Sequence, residues 1–138
     1  MMISLPPDYV PTDDEVFMSA VQVEFFRIRL QRWRADLLRD ADGTLESLSQ
    51  GGIMEADLTD RASVETDRAL ELRTRDRARK LVSKIDQALG RIESGSYGYC
   101  EETDEPIGLR RLIARPIATL SIEAQERHEK MERVHRDD

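Results

Sequence analysis

The sequence has few of the residues on which crosslinked, membrane-spanning and large β folds depend. Of its 138 residues, one is cysteine, five are proline and 5% are aromatic. A lone cysteine forms neither an intramolecular disulfide nor a closed thiolate zinc site. No window approaches the run of about 18 apolar residues that a membrane span needs, and the acidic start of the chain lacks the features of a secretory signal. We expect a cytoplasmic protein.

Basic residues are also too few and too localised for a typical DNA-binding protein. The formal net charge is −7. Residues 1–60 hold 5 basic and 12 acidic side chains, residues 61–92 hold 9 and 5, and residues 93–138 hold 7 and 11. Because phosphate neutralisation dominates the affinity for duplex DNA, this distribution argues against direct, sequence-specific DNA binding.

Helical periodicity covers most of the chain. Charged residues make up 36% of it, which favours long solvated helices. After an irregular arm at residues 1–12, apolar residues recur at spacings of three and four through residues 23–48 and again through residues 62–92. The pattern predicts a mostly α fold, with a long antiparallel coiled-coil hairpin over residues 13–94 and its tip near residues 50–61.

The last third of the chain, residues 95–138, is predicted to form a small domain with a C-terminal helix. Turn residues between Cys100 and Pro116 predict short strands or turns. From Ile117 onward the pattern is again helical. No nucleophile, general base pair or phosphate-cradling glycine loop occurs in the chain, and we expect no enzymatic activity.

Four short motifs occur together in a characteristic order. They are RDR at 75–77, GYC at 98–100, IGLRRL at 107–112 and ARP at 114–116. With them the chain resembles the DksA/TraR family of bacterial RNA polymerase regulators. The resemblance implies a small degenerate zinc-finger-like domain and a monomeric regulator that enters the polymerase secondary channel. With ppGpp, such a regulator alters open-complex stability, represses ribosomal RNA promoters and activates some biosynthetic promoters.

The resemblance also implies that the zinc site of the family is lost. At the four positions where the family usually has cysteines, the chain has Cys100, Thr103, Ser121 and Ala124. Threonine, serine and alanine supply no thiolates, so we expect the fold to persist without metal. Packing is expected to replace the zinc, through Tyr97, Tyr99, Ile107, Leu109, Leu112 and Ile122. A redox-sensing thiol and a metal site completed by His128 and His135 are less favoured alternatives.

At the predicted tip of the hairpin, Asp57, Asp60 and Ala62 match residues that act near the polymerase active site in the family. Carboxylates suit that place, because they accept hydrogen bonds and perturb the surroundings of a metal ion. The alternative is structural: Asp57 or Thr59 caps the second helix, and Asp60 favours the helix dipole from the first turn.

Two arginines, Arg77 and Arg111, match positions that bind polymerase in the family. The local positive charge around Arg77 suits an acidic protein surface. The alternative for that block is a solvated helix face with an ion pair between Asp76 and Lys80. Arg111, together with Arg110, has ion pairs with the acidic loop at residues 101–105 as its alternative.

Lys84 and Arg115 match the family's contacts to ppGpp, and both are cations that suit phosphate. A third cation of the family corresponds to Gln125, which removes one charge. Two other functions stay open. One is a Gre-like transcript-cleavage or elongation factor with a metal at Asp57 and Asp60, and the other is a coiled-coil interaction protein that does not bind polymerase.

Overall fold

A computed structural model describes the backbone of residues 4–51 and 58–137, and the side chains of residues 4–40 and 63–134. Across these residues the chain forms four helices: α1 (Ala20–Gly51), α2 (Leu58–Ser94), α3 (Leu109–Ala114) and α4 (Ile122–Asp137). The extended structure in the described ranges is one isolated antiparallel bridge between Tyr99 and Pro106. The prediction of a mostly α fold is confirmed. Of the helices so described, none has the length and apolar character to cross a membrane.

The chain divides into two compact units. We call Gln31–Asp86 the hairpin unit, and we call Met1–Leu30 with Gln87–Asp138 the knuckle unit. Within the knuckle unit, residues 4–19 are called the arm and residues 95–124 the knuckle.

The hairpin unit contains the parts of α1 and α2 that lie on either side of residues 52–57. Ile85 is fully buried, while Trp33, Leu37 and Leu81 are half-buried. Arg34 Nε donates to Asp86 Oδ1 at 2.7 Å, which joins an early part of α1 to a late part of α2. The predicted stripe on α2 is only partly confirmed: Leu72 is 47% exposed, because two paired helices cover one narrow seam.

The core of the knuckle unit is larger. It includes two residues of α1 and one of α2: Phe26, Leu30 and Ala88 are fully buried, and the ring of Phe26 contacts that of Tyr97 in the knuckle. Of the residues predicted to replace the zinc, four are buried: Tyr97, Ile107, Leu109 and Leu112. The prediction is wrong for Ile122, which is 50% exposed, whereas Tyr99 is 36% exposed and packs edge to face against Phe17 of the arm. On α4 the inward position belongs to Ala124, two residues on and therefore on a different side of the helix from Ile122.

Helix α1 begins at Ala20, later than the expected start at Asp13 or Asp14. The preceding residues form a turn, in which the Glu15 carboxylate accepts hydrogen bonds from the Thr12 N–H and the Tyr9 hydroxyl, both at 2.9 Å. Met18 then has a φ of 55°, in the left-handed region. A residue in that conformation interrupts a right-handed helix, and this delays the start of α1.

Two expectations for the last third of the chain are also corrected. Residues predicted as strands or turns include α3, in which Leu109 and Leu112 lie three apart and are both buried. Helix α4 begins at Ile122 instead of Ile117, because Ser121 caps it: the Ser121 hydroxyl accepts a hydrogen bond from the Ala124 N–H at 3.2 Å.

Candidate functional site

The thiol of Cys100 lies at the centre of the knuckle and is 1% exposed. Burial raises the pKa of this thiol. Hydrogen bonds from the Thr103 hydroxyl and from the backbone N–H groups of Ser121, Thr103 and Glu102 together outweigh burial and lower the pKa to about 6. These donors favour the thiolate form of the buried sulfur.

Backbone hydrogen bonds close the loop around Cys100. Its N–H donates to the Glu105 carbonyl at 2.8 Å, and its carbonyl accepts from the Asp104 N–H at 2.9 Å. The Glu101 N–H donates to the Thr119 carbonyl at 2.9 Å, which joins the loop to the segment before α4. The structure thus brings the four matched ligand positions together.

The residues at these four positions do not fit a tetrahedral zinc ion. Ala124 has no donor atom and is fully buried. The Thr103 and Ser121 hydroxyls are engaged with protein: they accept hydrogen bonds from the N–H groups of Glu105 and Ala124 at 3.3 and 3.2 Å. Within the described residues, no group of three or more His, Cys, Asp or Glu side chains converges in a way that could hold a metal. His128 instead pairs with Glu102.

Arg111 and Arg115 lie on or next to α3. Arg111 Nε donates to the Leu120 carbonyl at 2.9 Å. The alternative for Arg111, an ion pair with the acidic loop, does not form among the described residues. Arg115 is exposed at the end of α3. The next residue, Pro116, is fixed by a 2.8 Å hydrogen bond from the buried Tyr97 hydroxyl to its carbonyl. Burial raises the pKa of Tyr97 well above its ordinary value, which keeps this hydroxyl a donor.

Four cations of the hairpin unit share one face of α2. Their spacings of four, three and four residues place them on successive turns of the same side: Arg73, Arg77, Lys80 and Lys84. All four are exposed. Among the residues that the structure describes, none of the four is in an ion pair, and the expected pair between Asp76 and Lys80 does not form. We call this set the cationic face.

The predicted tip residues are described in part. Asp57 lies outside the described residues. Asp60 and Ala62 lie in the first turns of α2, and their side chains are likewise outside the described set. The roles assigned to these three residues stay predictions. Gln125, at the position where the family has a third cation, lies on α4 and donates to Glu129 Oε1 at 3.4 Å.

Two family descriptions match the chain. The first, "DnaK suppressor protein DksA, N-terminal domain", covers residues 22–92, and the second, "Prokaryotic dksA/traR C4-type zinc finger", covers residues 95–130. The chain belongs to the DksA family. It is a member in which one cysteine of the C4 set is present and three positions hold other residues.

Relatives in the DksA family support the same assignment. The RNA polymerase-binding transcription factor DksA of Caulobacter vibrioides is 64% identical over 131 residues, which are 95% of this chain and 92% of that protein. The Escherichia coli K12 protein of the same name is 39% identical over 117 residues, 85% and 78% of the two chains. The structure of transcription factor DksA2 from Pseudomonas aeruginosa matches with a TM-score of 0.79 at 48% identity, covering 85% of this chain and 90% of that one. These relatives are named as transcription factors.

Sequence reasoning missed two features of this DksA family member. It assigned Arg77 and Lys84 to different roles without seeing that they share a face with Arg73 and Lys80. The signal was available in the 4–3–4 spacing. It also predicted no contact for the arm. In the structure, the side chain of Gln22 in α1 is fully buried and is hydrogen-bonded to two arm residues. The sequence pattern of an amphipathic helix does not indicate that this glutamine is buried or that it contacts the arm.

Proposed function

We propose that this protein regulates transcription by binding RNA polymerase in its secondary channel, and that the cationic face of α2 is a principal binding surface. The observation that carries the proposal is an exposed row of four cations, without ion-pair partners among the described residues, in a chain with a net charge of −7. Cations without intramolecular partners present their full charge to an acidic protein surface.

Paired arginines on α1 make a useful contrast. Arg27, Arg34 and Arg39 each form an ion pair with a carboxylate, to Glu24, Asp86 and Asp36 respectively. Their charges are largely neutralised within the chain. The relatives in Caulobacter vibrioides and Escherichia coli are named for RNA polymerase binding, which makes an acidic rim of that enzyme the partner that we assign to the unpaired face of α2.

The knuckle supplies a second contact in this proposal. Arg111 is anchored through its Nε by the Leu120 carbonyl, which leaves its terminal nitrogens to a polymerase carboxylate. Lys84 and Arg115 each contact a phosphate of ppGpp, and the replacement of the family's third cation by Gln125 weakens the response to that nucleotide. Asp57, Asp60 and Ala62 act at the polymerase active site and change the stability of open promoter complexes.

We further propose that this activity needs no bound zinc. Hydrogen bonds to the Cys100 sulfur occupy the place of metal bonds, and the alanine at position 124 removes one ligand outright. Treatment with a zinc chelator is therefore expected to leave polymerase binding unchanged.

The binding surface is tested by comparing two arginine substitutions on α2. Arg77→Ala removes a cation of the cationic face, and Arg79→Ala removes an exposed cation that lies two residues away on another side of the helix. We expect Arg77→Ala to weaken binding to the cognate polymerase by about tenfold, as measured by competition for core enzyme, and Arg79→Ala to bind like the wild type. Equal affinities for all three proteins would refute the assignment of the face.

The tip is tested separately. Asp60→Asn is expected to keep polymerase binding and to abolish inhibition of a ribosomal RNA promoter, since the carboxylate acts after binding. Unchanged inhibition would refute the role given to Asp60. Shortening of RNA in a backtracked complex by the wild-type protein, without any promoter effect, would support a cleavage factor instead.

A further inference from the structure

We propose that the arm is a strap that keeps the knuckle closed, in the structural role that bound zinc has in C4-type members of the family. The knuckle is compact although its ligand positions do not fit zinc, so contacts from elsewhere in the chain must contribute to holding it. The inference is independent of the function proposed above, because it concerns the stability of the knuckle in the free protein.

The first observation is a strained backbone at the end of the arm. Met18 has a φ of 55°, a conformation that a non-glycine residue keeps only when surrounding contacts hold it. Those contacts come from Gln22, whose side chain is fully buried. Gln22 Oε1 accepts a hydrogen bond from the Met18 N–H at 2.9 Å, and Gln22 Nε2 donates to the Thr12 carbonyl at 3.2 Å. One buried amide thus fixes two points of the arm.

The second observation is where this backbone directs the Met18 side chain. Its Cγ and Sδ lie 2.8 and 2.9 Å from the position that a Cβ atom on Gly98 would occupy. Methionine therefore fills the space that a side chain at position 98 would need. The preceding residue makes a parallel contact: the rings of Phe17 and Tyr99 meet edge to face, with centroids 5.6 Å apart and an interplanar angle of 89°. Two consecutive arm residues pack on two consecutive knuckle residues.

The third observation links these contacts to the closure of the loop. The Gly98 carbonyl accepts a hydrogen bond from the Ile107 N–H at 2.8 Å, and the Cys100 N–H donates to the Glu105 carbonyl at 2.8 Å. These two hydrogen bonds join the two sides of the loop at and next to the residues that the arm contacts. Ile107 leads through Gly108, with a φ of 103°, into α3. Packing of the Met18 side chain against Gly98 keeps this loop closed and determines where α3 begins.

Amide hydrogen exchange of the full chain in the presence of a zinc chelator tests the strap. Met18→Ala removes the side-chain contact with Gly98, and Val16→Ala is the matched control, because Val16 lies in the same arm and is 78% exposed. We expect Met18→Ala to reduce the protection of the Cys100 and Ile107 amides by about tenfold or more, and Val16→Ala to leave it unchanged. Equal protection in Met18→Ala and the wild type would overturn the proposal.

The exchange of Leu81 in the hairpin unit serves as an internal reference. If Met18→Ala lowers protection there as much as at Cys100, the whole chain has been destabilised, and Phe17→Ala becomes the deciding variant. Local loss of protection at Cys100 and Ile107 in Phe17→Ala supports the strap. Absence of local loss in that variant overturns it.

Restoring the metal site gives the sharpest comparison. Thr103→Cys, Ser121→Cys and Ala124→Cys together rebuild a four-cysteine site, to which zinc is added. If strap and metal have the same structural role, the loss of protection caused by Met18→Ala shrinks to about twofold or less in the zinc-loaded variant. A loss that is the same with and without zinc would show that the arm does not act in place of the metal.

Discussion

The two units of the molecule are stabilised in different ways. In the hairpin unit, Ile85 is the one buried side chain among residues 31–40 and 63–86, and Leu38, Leu70 and Leu72 are more than 40% exposed. In the knuckle unit, the buried set includes a glutamine, a tyrosine and a cysteine, all hydrogen-bonded. A pair of solvated helices is stabilised by one repeating row of apolar contacts. A short irregular knuckle is stabilised only by specific contacts between residues that are distant in the chain.

This difference matches the roles proposed for the units. The hairpin unit presents the charges of the cationic face on a regular helix, whose local hydrogen bonds hold them in place. The knuckle presents Arg111 and Arg115 from a helix of six residues, which does not hold its place unless its surroundings are closed. Metal usually provides that closure in C4 domains, and we propose that hydrogen bonds and the arm provide it here.

The largest expected difference between the units concerns core packing. Phe26→Ala removes a fully buried ring in the knuckle unit and is expected to lower the free energy of unfolding by about 3–5 kcal/mol. Leu72→Ala in the hairpin unit removes a side chain that is 47% exposed and is expected to cost about 1 kcal/mol or less. Urea unfolding followed by circular dichroism measures both. Similar losses for the two variants would contradict the comparison.

A second prediction compares two glycines. Gly98→Ala places a methyl group against Met18 at a φ of 92°, and is expected to destabilise the knuckle by about 2–4 kcal/mol. Gly90→Ala, in α2 with open space around the new methyl group, is expected to stabilise the protein by about 0.5–1 kcal/mol. Thermal unfolding separates the two outcomes. Unchanged or increased stability in Gly98→Ala would contradict the left-handed backbone of Gly98 and its close contact with Met18.

A third prediction concerns the dependence of knuckle stability on pH. The folded pKa of Cys100 is lowered to about 6, and that of an unfolded thiol is about 8.5. At pH values between these two pKa values, the unfolded state binds one more proton than the folded state. The stabilisation of the fold by the thiolate is therefore complete above the unfolded pKa and is lost as pH falls through the folded pKa. The wild type should therefore gain stability relative to Cys100→Ser as pH rises across this window.

Ultraviolet absorbance of the thiolate gives the titration directly, and chemical unfolding at several pH values gives the stability. An absorbance midpoint near that of a free thiol would contradict the hydrogen-bonded thiolate. Because the sulfur is 1% exposed, alkylation is expected to be slow in spite of the low pKa.

The smallest expected effect belongs to the hairpin unit. Arg34→Ala removes the ion pair with Asp86, and both side chains are substantially exposed, at 39% and 49%. The expected loss of unfolding free energy is smaller than for the preceding substitutions, and it should diminish as salt is added. A larger loss that does not depend on salt would mean that the arginine stem, not its charge, stabilises the pair of helices.

The helices of the hairpin were predictable because their apolar spacing is a local signal. Helix α2 runs over Leu58–Ser94, close to the predicted span from near Asp60 to about Glu93. The start of α1 was not predictable, because the left-handed Met18 depends on a buried Gln22 and on Gly98 far along the chain. Helix α3 was missed for a related reason: six residues give too short a period, and Gly108 before it is typical of a turn.

The candidate site was likewise predictable from the sequence only in part. The sequence motifs pointed to Arg77, Lys84, Arg111 and Arg115, and the roles assigned to these four residues stay predictions. The set of apolar residues expected to replace zinc was wrong for Ile122, which lies on a different side of α4 from the buried Ala124. The donors around Cys100 are mostly backbone groups, which no residue type reveals.

Regulation of RNA polymerase by this protein is proposed to need no bound zinc. The most direct measurement is transcription from a ribosomal RNA promoter by the cognate polymerase, with protein treated with a zinc chelator, in the presence and absence of ppGpp. We expect inhibition that survives chelation and deepens with ppGpp. Absence of inhibition under both conditions, with a protein that is folded by circular dichroism, would contradict it.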